Sequence, residues 1–131
     1  MVSETHPPVV LIVDDDPTAR AVTKLLLESE GCLAIEAPDG LEAIRISVAQ
    51  RPDLILMDIN MPIMDGIEAT RLMRHMDVVH MVPIVAVTGE TPEKWREAIE
   101  AGCNDCLAKP VLPEVFRHAL SKYVGLSLRS A

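Results

Sequence analysis

Four apolar runs in this chain each lead into a polar side chain that suits phosphoryl chemistry. The first run, Val9–Val13, is followed by three consecutive aspartates. The second run, at 54–57, is followed by Asp58, the third, at 84–87, by Thr88, and the fourth, at 106–108, by Lys109. Carboxylates are ligands for hard divalent cations, and an ammonium group pairs with phosphoryl oxygens. Gathered at one edge, these side chains would suit a divalent cation together with a phosphoryl group.

Each of the four runs has the length of a buried strand, as does a fifth segment, Leu33–Ala37, and helical patterns separate all five. The predicted strands are Val9–Val13, Leu33–Ala37, Asp53–Met57, Ile84–Val87 and Cys106–Ala108. Strict alternation of strand and helix predicts an α/β fold of the (βα)₅ type with a parallel sheet. A flavodoxin-like, doubly wound sheet has the strand order 2-1-3-4-5 and binds ligands at its carboxyl edge, where strands 1 and 3 are neighbours.

Capping signals mark where the five helices begin. A cap followed by proline, or an acid three residues before a glutamate, predicts a helix start; such signals lie at Asp16, Asp39, Asp65, Thr91 and Pro113. Helical periodicity follows each start. It predicts the apolar face of the first helix as Val22, Leu25, Leu26 and Ser29, and that of the second as Leu41, Ile44 and Val48.

Length, charge and composition exclude several classes of protein. The 131 residues indicate one domain, predicted over residues 9–124, with a disordered lead-in at 1–8 and a tail at 125–131. A net charge of −8 argues against direct nucleic-acid binding. No apolar run reaches about 18 residues, so no membrane span is expected. Three cysteines without a secretory signal indicate a reducing, cytoplasmic location rather than a disulfide framework.

The juxtaposed acids predict the chemistry of the site. Asp14 and Asp15 end strand 1 and Asp58 ends strand 3, so their carboxylates should repel one another. Mg²⁺ resolves that repulsion, since it takes oxygen ligands and binds through one or two carboxylates plus a phosphate. A carboxylate can itself attack a phosphoryl donor and form an acyl phosphate. Lys109 would then stabilise the charge on the transferred group.

The sequence resembles the receiver domains of two-component response regulators. Five motifs carry the resemblance, in order and at matching spacing: Leu11-Ile12-Val13-Asp14-Asp15-Asp16-Pro17, Pro52-Asp53-Leu54-Ile55-Leu56-Met57-Asp58, Met61-Pro62-Ile63-Met64-Asp65-Gly66, Val87-Thr88 and Lys109-Pro110. The resemblance covers residues 9–124. Any one motif is weak by itself, whereas all five together are highly specific.

The resemblance implies a role for each matching residue. Asp58 would be the phosphoacceptor, and Thr88 and Lys109 the switch hydroxyl and the phosphate-binding lysine. The Mg²⁺ (or Mn²⁺) site would comprise Asp14, Asp15, Asp58 and the backbone carbonyl of Asn60, with Asp15 a closer ligand than Asp14. The Lys109–Pro110 peptide bond is expected to be cis. One position departs from the pattern: the family has Tyr or Phe three residues before the lysine, where this chain has Cys106.

The resemblance also implies the partners. A histidine kinase or histidine phosphotransfer protein would donate the phosphoryl group, and a downstream protein would bind the α4-β5-α5 face. The chain would be a signalling protein and not an enzyme. We expect a stand-alone receiver; the alternative is a receiver excised from a hybrid histidine kinase. A small aspartyl-nucleophile phosphatase, a flavodoxin-like binding module and a pseudo-receiver are the other interpretations considered.

The remaining motifs have a structural interpretation. Cys103-Asn104-Asp105-Cys106 has the C-x-x-C spacing of redox proteins, but it would lie at the end of a helix rather than at its start, so structural cysteines are predicted. Trp95 on the fourth helix could pack inward or form part of a partner contact, and the sequence favours neither.

Overall fold

The structure is a computed structural model, and it describes residues 6–89 and 91–125. Five strands alternate with five helices: β1 (Val9–Val13), α1 (Pro17–Ser29), β2 (Leu33–Ala37), α2 (Gly40–Gln50), β3 (Leu54–Met57), α3 (Gly66–Met73), β4 (Ile84–Thr88), α4 (Pro92–Ala101), β5 (Asp105–Ala108) and α5 (Pro113–Val124). The predicted strands differ from these by one residue at most. Of the predicted lead-in at 1–8 and tail at 125–131, residues 1–5 and 126–131 lie outside the described residues.

The strands form one parallel sheet in the order β2-β1-β3-β4-β5, which confirms the predicted flavodoxin-like α/β fold. Val13 at the end of β1 pairs with Ala37 of β2 and with Met57 of β3. Along the other half of the sheet, Thr88 pairs with Ala108. The residues that follow β1, β3 and β5 therefore emerge at the same carboxyl edge of the sheet, those after β1 and β3 side by side.

The apolar runs are long because both faces of the sheet are covered by helices. Leu11 and Val13 of β1 face one core cluster, which also contains Met57 and Met73. Val10 and Ile12 face the other cluster, which contains Phe116 of α5. Alternate residues of one strand thus serve two cores, and the sheet edge is held rigidly between them.

The four predicted side-chain caps are present, and α5 begins at Pro113 without a side-chain cap. The side chains of Asp16, Asp39 and Asp65 accept hydrogen bonds from the amides of the first turns of α1, α2 and α3, and Thr91 does the same for α4. The helix starts predicted from these signals are confirmed.

The predicted apolar faces of α1 and α2 are correct only in part: Leu26 and Ile44 pack against the core clusters, whereas the other residues of both faces are exposed. On α1, Leu27 is fully buried, whereas Val22 is 54% and Leu25 is 68% exposed. On α2, the buried residues are Gly40, Ala43 and Ser47. On α1 the core contact is made by Leu27 and Leu26, and on α2 small buried residues let the helix pack closely. Periodicity identifies an apolar stripe but not which part of it meets the sheet.

Candidate functional site

The three predicted carboxylates meet at the carboxyl edge between β1 and β3. The Asp58 amide donates to the Val13 carbonyl at 2.9 Å, so the two strand ends are in register. Asp14 and Asp58 are each 8% exposed, and Asp15 faces solvent. One carboxylate oxygen from each residue lies within 4.8 Å of the other two. Such a set of hard oxygen ligands fits a divalent cation that binds some ligands directly and others through water.

Lys109 reaches this carboxylate group from the end of β5. Its Nζ lies 3.2 Å from Asp14 Oδ2 and 3.4 Å from Asp58 Oδ2. The ammonium therefore bridges two of the three acids, although they are separated from it by about fifty or more positions along the chain. A phosphoryl group on Asp58 would lie within reach of the same ammonium.

The pKa values at the site reflect burial and charge together. Burial raises the pKa of Asp58, Lys109 partly offsets that rise, and the neighbouring Asp14 adds to it. The Ile59 amide also donates to the Asp58 carboxylate and favours its charged form. For Lys109, burial alone would lower the pKa, but Asp58 and Asp14 raise it above its ordinary value. The lysine is therefore positively charged at neutral pH, and ionised Asp58 is energetically costly in the protein alone.

The other two predicted site residues lie on adjacent segments. Thr88 is 2% exposed at the end of β4, and its carbonyl accepts a hydrogen bond from the Lys109 amide at 3.2 Å. Asn60 is solvent-exposed in the turn after β3, two residues beyond Asp58. The Lys109–Pro110 bond is cis, as predicted.

Helix α3 approaches Asp58 closely because its first residue is a glycine. The Gly66 amide donates to the Ile59 carbonyl at 2.9 Å. A Cβ atom at residue 66 would overlap the Asp58 carbonyl oxygen and would lie 2.8 Å from Met57 Cγ. Only a residue without a side chain permits this packing. The capping signal at Asp65 predicted the helix start but not this contact.

Cys106 occupies the position where an aromatic side chain was expected. It is half-buried, and its thiol donates to the Trp95 carbonyl of α4 over 3.8 Å. Burial, with Cys103 and Asp105 nearby, raises the pKa of this thiol to about 11, so it is neutral at physiological pH. All three cysteines are free thiols. Trp95 is half-buried, and its indole N–H is a buried donor with no partner among the described residues.

Two further features were not identified from the sequence. Arg20 of α1 contacts both the Asp14 carbonyl and Glu36 of β2. A groove of about 530 Å³ runs beside Asp58 between α1 and the segment from Lys109 to Phe116. A charged residue inside the otherwise apolar β2 was a signal for the first feature. The exposed apolar residues of α1, once known to be exposed, are the signal for the second.

Comparison with known proteins places this geometry in a family. The sequence pattern of the response regulator receiver domain matches residues 10–121. The chain belongs to the response regulator receiver family. This receiver is 33% identical, over 91% of its own length and 98% of the relative's, to the polar-differentiation response regulator DivK of Brucella anthropi. Its function is that of a phosphoacceptor receiver in two-component signalling.

Receivers within larger sensor kinases are similarly close. The chain is 36% identical, over 88% of its length, to the CAI-1 autoinducer sensor kinase/phosphatase CqsS of Vibrio cholerae, but it spans only 17% of that protein. The receiver domain of sensor histidine kinase PA1611 from Pseudomonas aeruginosa superposes with a TM-score of 0.85 at 36% identity, covering 91% of this chain and 98% of that one. That crystal structure contains a magnesium ion coordinated in the active site cleft. The relatives thus include both small regulators and domains of long kinases.

Within the described part of the chain, no helix combines the length and apolar character that crossing a membrane requires.

Proposed function

We propose that this receiver accepts a phosphoryl group on Asp58 from a phosphohistidine of a histidine kinase or phosphotransfer protein. One observation carries the proposal: the buried Asp58 carboxylate lies 3.4 Å from the Lys109 ammonium and within 4.8 Å of two further carboxylates. A desolvated carboxylate held beside a cation is a nucleophile adjacent to charge that stabilises a phosphoryl group.

The proposed transfer exchanges one bond to phosphorus for another. An Asp58 oxygen bonds to phosphorus while the P–N bond to the donor imidazole breaks, and the imidazole nitrogen keeps the electron pair. The product is an acyl phosphate. Lys109 then pairs with the phosphoryl oxygens, and the Thr88 hydroxyl donates to one of them. Hydrolysis of the acyl phosphate returns the carboxylate and inorganic phosphate and ends the signal.

The donor set for the metal is made of oxygen atoms. Asp14, Asp15, Asp58 and the backbone carbonyl of Asn60 would hold Mg²⁺ or Mn²⁺. When bound, the cation supplies positive charge to the oxygens of the transferring group. The spacing of the three carboxylates supports the assignment, as does the magnesium ion in the cleft of the PA1611 receiver domain.

A mass measurement tests the phosphoacceptor assignment. Incubation with phosphoramidate and Mg²⁺ should add one phosphoryl group to the wild-type protein, and chelation should prevent it. Asp58→Asn should show no gain, whereas Asp77→Asn, an exposed carboxylate on the α3–β4 turn, should be labelled normally. Labelling of Asp58→Asn, or no labelling of a folded wild type, would contradict the proposal.

The same experiment separates the alternatives. A phosphatase would release inorganic phosphate over many turnovers without a lasting adduct. A flavodoxin-like module would bind flavin and gain no mass, and a pseudo-receiver would gain none under any condition.

We propose that the donor protein covers the groove beside Asp58. Both Asp58 and Lys109 line this groove, together with apolar residues such as Val22 and Phe116. Transfer requires the donor histidine to reach Asp58, so the donor must contact the rim. Val22 is apolar and yet 54% exposed. Exposed apolar patches often mark sites of protein–protein interaction. The surface thus supports a protein donor with a matching apolar face.

A charge placed on this rim separates protein donors from small ones. Val22→Glu should slow transfer from a phosphorylated histidine protein while leaving labelling by phosphoramidate unchanged. Val48→Glu on α2 is the matched control, because Val48 is also exposed but does not line the groove. Equal slowing with both donors would show damage to the site rather than loss of docking.

We propose that the downstream target binds the α4-β5-α5 face. Contacts across this face support coupling: the Cys106 thiol donates to Trp95 of α4, and the Tyr123 hydroxyl of α5 donates to Asp105 at 3.2 Å. A thiol offers far less apolar contact than an aromatic ring, so we expect the rearrangement of this face to be small, or to be carried by Thr88 and residues 89–92 rather than by Cys106. NMR spectra of the free and beryllofluoride-bound protein test this. A large change centred on β5 and lost in Cys106→Ala would contradict it.

We further propose that this receiver acts in the cytoplasm. Its three free cysteines support a compartment that keeps thiols reduced.

A further inference from the structure

Arg20 joins three elements at the metal-binding edge. Its Nη1 donates to the Asp14 carbonyl at 2.8 Å, and its Nε donates to Glu36 Oε1 at 3.0 Å. Arg20 belongs to α1, Asp14 follows β1 and Glu36 belongs to β2. The Arg20 side chain is 19% exposed, so the guanidinium is largely enclosed by these partners.

The carbonyl that Arg20 binds belongs to the peptide group between Asp14 and Asp15. Other contacts already fix Asp14: its amide donates to the Ala37 carbonyl, and its carboxylate accepts from the Asp16 amide and from Lys109. Asp15 is solvent-exposed and lies at the other end of the same peptide plane. By holding that plane, Arg20 sets the direction in which the Asp15 carboxylate leaves the strand.

A guanidinium so near the carboxylates would oppose a divalent cation if its charge were not compensated. Glu36 lies 3.0 Å from it and neutralises it, and Lys24 contacts the other Glu36 oxygen only at 3.8 Å. The pair therefore provides the geometry of a hydrogen-bond donor with little net charge. Arg20 supplies the hydrogen bond and Glu36 supplies the compensating charge, so substitutions at the two positions test the two contributions separately.

We infer that Arg20 is a positioning residue for the divalent cation and that Glu36 is its counter-ion. The inference rests on the proposed function of the site, and it adds that metal affinity depends on two residues that do not bind the metal. Outer partners that orient ligands commonly change metal affinity when they are removed.

Calorimetric titration of Mg²⁺ into five proteins tests the inference. Arg20→Ala should lower the affinity about tenfold, the smaller of the effects usual for such partners. The affinity of Arg20→Lys for Mg²⁺ should lie between those of the wild type and Arg20→Ala. An ammonium keeps the charge but cannot form the fork that reaches both partners. Glu36→Gln keeps the fork and exposes the charge, so its affinity should fall severalfold and recover as salt is added. The double variant Arg20→Ala/Glu36→Gln lacks the fork and both charges, so it should also lose about tenfold in affinity, and its loss should not respond to salt.

A control and a second measurement exclude a purely structural role. Arg45→Ala removes a positive charge from an exposed i,i+3 pair on α2 and should leave Mg²⁺ affinity unchanged. Amide hydrogen exchange of Asp15 and Asp16 in metal-free protein should be faster in Arg20→Ala than in the wild type. If the Arg20 and Glu36 variants lose stability but bind Mg²⁺ as the wild type does, the inference is overturned while the proposed function stands. If the wild type binds no Mg²⁺, the proposed function itself fails.

Discussion

Asp58→Asn should be more stable than the wild-type protein at pH 7 in the absence of metal. Coulomb's law at an effective dielectric constant of about 20 gives a repulsion from Asp14 of at least ~3.5 kcal/mol at 4.8 Å or less, and an attraction to Lys109 of ~4.9 kcal/mol at 3.4 Å. Exposed Asp15 adds a screened repulsion, and the Lys109 side chain, 37% exposed, provides less than its full attraction.

Because these charges nearly cancel, burial decides the sign. The Asp58 side chain is only 10% exposed, and desolvating a polar group costs about 1–3 kcal/mol. Asparagine has nearly the same shape without the charge, and Lys109 retains Asp14 at 3.2 Å. We therefore expect the variant to gain about 1–2 kcal/mol in free energy of unfolding.

The gain should depend on pH in a defined direction. Burial raises the folded-state pKa of Asp58 above its ordinary value of 3.8, so the folded protein favours the protonated acid. The deficit of the wild type is absent below the ordinary pKa, grows as the pH rises through the folded-state pKa, and is complete above it. Added Mg²⁺ should narrow the difference, since it binds the wild-type site more tightly and stabilises the folded state by mass action.

Urea unfolding with a chelator, followed by circular dichroism from about pH 4 to pH 8, measures the difference. Asp77→Asn is the control and should match the wild type throughout, because that carboxylate is exposed. A less stable Asp58→Asn at pH 7, or a gap that does not change with pH, would refute the argument from burial.

Three further substitutions should change stability through the backbone or the core. Ser47→Ala should gain about 1 kcal/mol in urea unfolding, because the buried Ser47 hydroxyl has no partner among the described residues; a loss would show that the hydroxyl is satisfied. Ile63 has a φ of 69°, in the left-handed region that asparagine tolerates and β-branched residues do not. Ile63→Asn should therefore gain about 1 kcal/mol in free energy of unfolding, and Ile63→Val should not. Gly66→Ala should lose about 1–3 kcal/mol and slow Asp58 labelling, whereas Gly89→Ala, with open space around it, should keep its stability.

Local patterns were sufficient for the elements and for the site constellation. Each strand is an uninterrupted apolar run, because both faces of the sheet are covered, and each helix start has its own capping signal. Such signals depend on a few neighbouring residues. Once the order 2-1-3-4-5 is expected, the residues after the strands must share one edge. Asp14, Asp58 and Lys109 follow directly from that reasoning, and they meet as predicted.

Helix orientation could not be derived in the same way. The predicted apolar face of α1 contains Val22, Leu25 and Leu26, yet the fully buried residue of this helix is Leu27, which lies outside that face. Which side of a stripe meets the sheet depends on the tilt and depth of the helix, and those depend on the side chains of other elements. The groove beside Asp58 is a consequence of that orientation.

The sequence by itself determined the order of elements, the carboxyl-edge site and the chemistry that its carboxylates and lysine can support, because all of these follow from residue types and short spacings. The tertiary structure alone decided that α3 begins against the Asp58 carbonyl at Gly66. It also decided that Arg20 contacts the Asp14–Asp15 peptide group and that Glu36 neutralises the Arg20 guanidinium. Those contacts join residues of different elements at distances of about 3 Å, and periodicity along one segment contains no information about the depth or tilt of its neighbour.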